Sequence, residues 1–140
     1  MTDVADSLRS FIIARANSRC EYCGVSSVGQ IAPFEVDHVM PRTRGGTTIA
    51  ENLSLACPRC NAFKWAHTTG IDPLTAEEIP LFDPRCQIWH EHFRWSESNL
   101  GEIVGVTACG RATINRLRMN ASAIVVIRRL LLEAGLISAP

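Results

Sequence analysis

The 140-residue sequence predicts an α+β protein: a ββα unit with a helix before it, followed by a small strand-and-helix extension. Three observations carry this. Residues 34–41 (FEVDHVMP) alternate like a strand and stop at a proline. Residues 49–57 (IAENLSLAC) set Leu53 and Leu55 two apart, as a short return segment does. From Pro58 the sequence PRCNAFKWAH suits a helix with proline in its first turn.

The remaining elements follow in chain order. Residues 4–16 place apolar side chains at 4, 5, 8, 11, 12 and 16, close to a helical stripe, and Thr2 or Asp3 offers a cap. CEYCG (20–24) reads as a turn presenting two thiols. Residues 25–33 are a polar loop, and RTRGGTT (42–48) is a basic, glycine-rich one. Residues 69–85 hold Pro73, Pro80 and Pro84 and read as extended chain wrapping the surface. CQIWHEHFRW (86–95) sets Trp89, Phe93 and Trp95 on one strand face, most simply a core face. GEIVGVT (101–107) is another short strand. Residues 110–120 and 121–135 are two helices, the second closed by Gly135. The chain divides into residues 1–70 and a C-terminal extension, 71–140, packed on that core.

Composition is that of a globular protein, 46% hydrophobic and 20% charged, which excludes the disordered class. Asp3 and Asp6 stand where a secretory leader carries cations, and the apolar run Ala123–Ile127 ends at Arg128-Arg129. The expected location is therefore the cytoplasm, with no membrane partner. In that reducing compartment six cysteines point to metal or free thiols rather than disulfides. The formal net charge is zero but unevenly spread. Residues 1–70 carry 7 Lys+Arg against 6 Asp+Glu, residues 71–101 carry 2 against 6, and residues 102–140 carry 5 against 2. Phosphate contacts should come from the first and last thirds.

Two CxxC pairs, Cys20/Cys23 and Cys57/Cys60, have the spacing that points two sulfurs at one ion, and four thiolates close a tetrahedral zinc site. Between Cys23 and Cys57 lie 33 residues, so the clamp brackets an insert large enough to be the working part. Cys86 and Cys109 lack such spacing and read as small buried hydrophobes; a site of Cys86, His90 and His92 is the weaker alternative. Within the insert, Asp37 and His38 bring a carboxylate, a hard-oxygen ligand for a divalent cation, and an imidazole able to take a proton from water. Successive strand residues face opposite ways, so the two share a site only if the strand twists or ends there, before Pro41.

The order Asp-His (DHVMPRTRGG), then Asn-Leu and CxxC-Asn with a Lys (ENLSLACPRCNAFK), with CEYCG upstream, resembles an HNH endonuclease with a four-Cys zinc site. It is similar to the ββα-metal core found in restriction, homing and CRISPR nucleases. The resemblance covers about residues 20–67. It implies a metal-dependent DNA endonuclease with His38 as general base, and Asp37 and Asn61 as ligands of a catalytic divalent ion, Mg²⁺ or Mn²⁺. Asn52 would brace the loop and hold His38. Asn61 stands where the family has His or Asn. His67 lies about 240° round a helix from Asn61 and cannot share its face. Lys64, three residues beyond Asn61, would meet a phosphate, and Arg42 and Arg44 would lie along the DNA backbone. The alternative is a catalytically inactive zinc module that binds nucleic acid or assembles with a partner.

PLFDPRCQIWHEHFRW followed by GVTACGRATINRLRMN resembles a C-terminal extension of small stand-alone HNH proteins. The helix bearing Arg111, Arg116 and Arg118 has a faint helix-turn-helix look, though a capping helix with a solvated basic face is the simpler reading. Helix 121–134 is apolar nearly all round, so its surface must be covered by this half's own core or by a second copy in a homodimer.

Overall fold

The computed structural model describes residues 4–138. Helix α1 (Asp6–Arg15) is followed by strands β1 (Glu35–His38) and β2 (Leu53–Ala56) and helix α2 (Pro58–Lys64). β1 and β2 are antiparallel, with Asp37 opposite Ser54 and His38 opposite Leu53. This is the expected ββα unit. All four residues of β2 are buried, with α1 and α2 both packed against the strand and Tyr22 of the first thiol turn bonded to Ser54. Thr2 and Asp3 lie outside the described residues. The N-cap of α1 is Ala5, with no side-chain cap bond. The helix is tied down at its far end by Arg15, whose guanidinium donates to the Ala50 carbonyl at 2.9 Å and the Leu53 carbonyl at 2.5 Å.

The loop from β1 to β2 is built on a 3₁₀ turn at Arg42–Arg44, ended by Gly45 at φ 88°. Gly46 then passes so close to the strand end that a Cβ there would lie 1.7 Å from the Met40 carbonyl oxygen. Asn52 seals the loop: its Oδ1 accepts from Met40 N–H at 2.9 Å, and its Nδ2 donates to the carbonyls of Met40 (3.1 Å) and Thr47 (2.9 Å). A three-bond side-chain brace of this kind substitutes for the ladder hydrogen bonds that a loop lacks.

The second half departs from expectation in two places. Residues 69–85 are not simply extended chain: Thr69–Ile71 (β3) and Glu78–Pro80 (β4) pair as an antiparallel ribbon. Pro80 is tolerated because it ends the strand, where no ladder donor is needed. Trp89, Phe93 and Trp95 do not share one strand. Trp89 sits in a 3₁₀ turn, and only Phe93–Trp95 form β5, paired with β6 (Ile103–Gly105). The three rings nonetheless pack together, with Trp89 at 5.1 Å from Phe93 and 5.8 Å from Trp95. Phe93 is buried and both tryptophans are half-buried, so the core reading of this cluster stands.

Helices α3 (Ala108–Leu117) and α4 (Ser122–Glu133) complete the chain. α4 buries Ile124, Val125 and Leu131 along with Arg128, while Val126 and Leu130 stay exposed. Fully buried Arg128 donates to the carbonyls of Gly101 (2.8 Å) and Met119 (2.6 Å) and lies against the Trp95 ring. One core cluster takes Ile12, Tyr22, Leu53 and Leu55 from the first half and Phe82, Phe93, Ile103 and Leu117 from the second. Polar ties cross the same boundary, among them Trp89 Nε1 donating to the Tyr22 carbonyl at 2.8 Å and Arg85 paired with Glu21. No helix among the described residues is long and apolar enough to cross a membrane.

The arginines of α3 serve the fold rather than a groove. Arg111 makes a bidentate pair with Asp72, both bonds 2.9 Å. Arg116 Nε donates to the Thr69 carbonyl, and Arg118 lies over the Phe63 ring. The helix packs on the fold as a capping helix would, but its basic face is not solvated as expected, since Arg111 and Arg116 are engaged by Asp72 and the Thr69 carbonyl. The Arg111 guanidinium holds the Asp72 carboxyl down at about 2. A depressed carboxylate stabilises the fold above its unfolded value of about 3.9 and loses that contribution as pH falls toward 2. Thermal melts from pH 5 to pH 2 should accordingly show an acid limb in the wild-type chain that is flattened in Asp72→Asn, which starts from a lower melting temperature at pH 5.

Candidate functional site

The four cysteines of the two CxxC pairs converge. Their sulfurs all lie within 4.8 Å of one another, and all four residues are buried. None is in a disulfide. The two turns are built alike: Cys23 N–H donates to Cys20 Sγ and Cys60 N–H to Cys57 Sγ, each at 3.4 Å. Across the cluster, Cys23 Sγ and Cys57 Sγ stand 3.8 Å apart. Tetrahedral zinc with bonds of about 2.3 Å sets its sulfurs about 3.8 Å apart, so the donor set fits that ion. Burial raises the Cys20 thiol well above its ordinary value, and thiolates in such surroundings need a cation among them. Among the described residues this is the one group of three or more Cys, His or carboxylate donors close enough to share an ion. Cys86, His90 and His92 form no such group. Cys86 is exposed rather than buried as its type suggested, and Cys109 is half-buried.

The clamp delivers two side chains to β1. Tyr22, between the first two cysteines, is fully buried and donates its hydroxyl to Asp37 Oδ2 at 2.8 Å, while accepting from Ser54 Oγ at 3.1 Å. Lys64, one turn beyond Cys60 on α2, is 2% exposed and places Nζ 3.0 Å from the same Oδ2. It also donates to the carbonyls of His38 (3.0 Å) and Val39 (3.2 Å). The expectation that Lys64 meets a phosphate is corrected by this burial: its ammonium points inward and closes the end of β1. Both partners of Asp37 use Oδ2, which leaves Oδ1 without a protein partner. Burial raises the Asp37 carboxyl above its usual value, against the opposing pull of the Lys64 ammonium and the Tyr22 hydroxyl.

Asp37 and His38, although neighbours on a strand, line the same groove, together with Asn61, Arg42 and Trp65. The strand ends at His38, where Lys64 takes the carbonyls of His38 and Val39. His38 is held through Nε2 by the Thr48 hydroxyl at 2.9 Å. Burial lowers its basicity, partly offset by the neighbouring Asp37 carboxylate. Asn52 makes no side-chain hydrogen bond to the His38 ring. It braces Met40 and Thr47, and its backbone carbonyl accepts from Val39 N–H at 2.9 Å. Arg42 and Arg44 are exposed on the loop beside the groove. His67 lies beyond the end of α2 with its ring edge-on to Trp65.

Three contributors escaped sequence reasoning. Tyr22 carried one signal, its place between two metal-ligating positions, which forces its side chain toward whatever the clamp packs against. Thr48 and Trp65 carried none, because each depends on where a loop turns.

The family model for HNH endonuclease matches residues 20–64. No curated protein and no solved structure matches the chain. The matched segment begins at the first clamp cysteine, ends at the lysine that grips Asp37, and contains every groove residue named above except Trp65. Residues 20–64 are an HNH endonuclease domain, of a family that is generally one of phosphodiester hydrolases, folded around a buried four-Cys cluster.

Proposed function

We propose that this domain is a metal-dependent DNA endonuclease in which His38 removes a proton from the attacking water. The observation that supports it most directly is the shared groove: His38, Asp37 with one oxygen free of protein partners, and Asn61 line it together. With Nε2 engaged by Thr48, the ring nitrogen available to a water is Nδ1. The neutral ring then carries its proton on Nε2, where the Thr48 hydroxyl accepts it. Burial lowers the basicity of His38, which keeps the ring in the neutral form a base requires near pH 7.

Asp37 Oδ1 and the Asn61 carboxamide are hard-oxygen donors suited to Mg²⁺ or Mn²⁺. Such a cation, when bound, supplies the positive charge that offsets charge building on the phosphate. Tyr22 and Lys64 orient Asp37 by Oδ2, leaving Oδ1 without a protein partner. Arg42 and Arg44 stand beside it on the loop, where exposed cations can follow a phosphate backbone.

Three outcomes test this reading. Replacing His38 by Ala should abolish plasmid nicking in Mg²⁺ or Mn²⁺ while zinc content and melting temperature hold; undiminished nicking would remove His38 from the chemistry. Stripping the four-Cys metal with a strong chelator should silence the enzyme, because Asn61 directly follows Cys60. Activity should then return with zinc plus Mg²⁺ and not with Mg²⁺ alone. Lys64→Met leaves a buried carboxylate without its cation, and denaturant titration should register a loss of about 3–5 kcal/mol.

A further inference from the structure

α2 ends in a tight turn: His67 N–H donates to the Lys64 carbonyl at 2.9 Å. The first of the two residues inside that turn is Trp65, at φ 45° and ψ −123°. These are the angles of the first central residue of a type II′ turn, a position that favours glycine because a Cβ crowds the backbone. Here the strained position carries an indole. Burial does not offset the strain, since Trp65 is 73% exposed. The chain's other tryptophans, Trp89 and Trp95, are packed against each other and half-buried. Backbone strain held in place by the surrounding fold concentrates where a side chain meets a ligand. Trp65 lines the groove with Asp37, His38 and Asn61.

We propose that Trp65 is a base-stacking residue: its indole lies against an unpaired nucleobase flanking the phosphate presented to His38. The groove therefore selects single-stranded or locally opened DNA over continuous duplex. Stacking on an aromatic ring is tolerant of sequence and needs an exposed base face. In continuous duplex both faces of each base are covered by its neighbours, whereas a strand end, a loop or a flipped base uncovers one. The inference rests on the nuclease reading above and adds its substrate class.

The test uses the full, zinc-loaded chain, Trp65→Gly and Trp65→Phe. Three DNAs of one sequence are compared: single strand, continuous duplex, and duplex with a short unpaired loop. Trp65→Gly should melt at a higher temperature, because the turn relaxes. It should also bind the single strand and the looped duplex roughly five- to hundredfold more weakly. Affinity for continuous duplex should fall far less, and Trp65→Phe should keep most of the binding. In a His38→Ala background, which holds the DNA uncut, 2-aminopurine beside the cleavage site should be quenched with Trp65 present and bright with glycine. Unchanged affinity of Trp65→Gly for unpaired DNA, or an equal loss on all three DNAs, overturns the stacking role even where cleavage persists. If the unsubstituted chain neither binds nor cuts any of the three, the nuclease reading falls first and this inference with it.

Discussion

Four thiols must stay within 4.8 Å of one another, and the working part of the molecule is positioned by that requirement. The two thiol turns come from segments 33 residues apart, so closing the cluster brings the chain before β1 against the helix after β2. Each turn then contributes the residue that matters for the groove. Tyr22 comes from inside the first pair, and Asn61 and Lys64 follow the second. A helix as short as α2, seven residues, has little stability of its own. Its place is set by Cys57, which caps it, and by Cys60, which anchors its first turn.

Asp37 illustrates how a buried polar network does two jobs at once. Its Oδ2 accepts from a hydroxyl and pairs with an ammonium, which satisfies the buried lysine as well as the carboxylate. The lysine in turn takes the last carbonyls of β1. Such a network is costly to leave half-made, and that cost makes the geometry of the strand end specific. The strand ends at His38, the ammonium takes the carbonyls of His38 and Val39, and Asp37 and His38 both line one groove.

The second half contributes support rather than groove-lining groups. Several of its arginines are spent within the protein: Arg111 on Asp72, Arg128 on buried carbonyls, Arg85 on Glu21. Its aromatic cluster meets the first thiol turn through the bond from Trp89 to the Tyr22 carbonyl. The base of the site therefore rests on elements far along the chain, consistent with a core cluster drawn from both halves.

Spacing alone determined a good deal here. The two CxxC pairs, the strand alternation around Val36 and the proline at the start of α2 were enough for the ββα unit and its clamp, because these are local regularities that the backbone imposes on any sequence that adopts them. The pairing of β3 with β4 was hidden by three prolines, since pairing is a contact between segments and not a property of either. Lys64 shows the limit most plainly. A lysine three residues from Asn61 looked like a surface cation; only the fold, by burying Asp37 beneath it, turned that ammonium inward. Trp65 was equally silent, for its importance lies in a backbone angle that no side-chain pattern encodes. Local chemistry wrote the metal clamp and the groove's inventory, and tertiary packing decided which of those groups face outward, because burial and charge pairing are settled between elements and never within one.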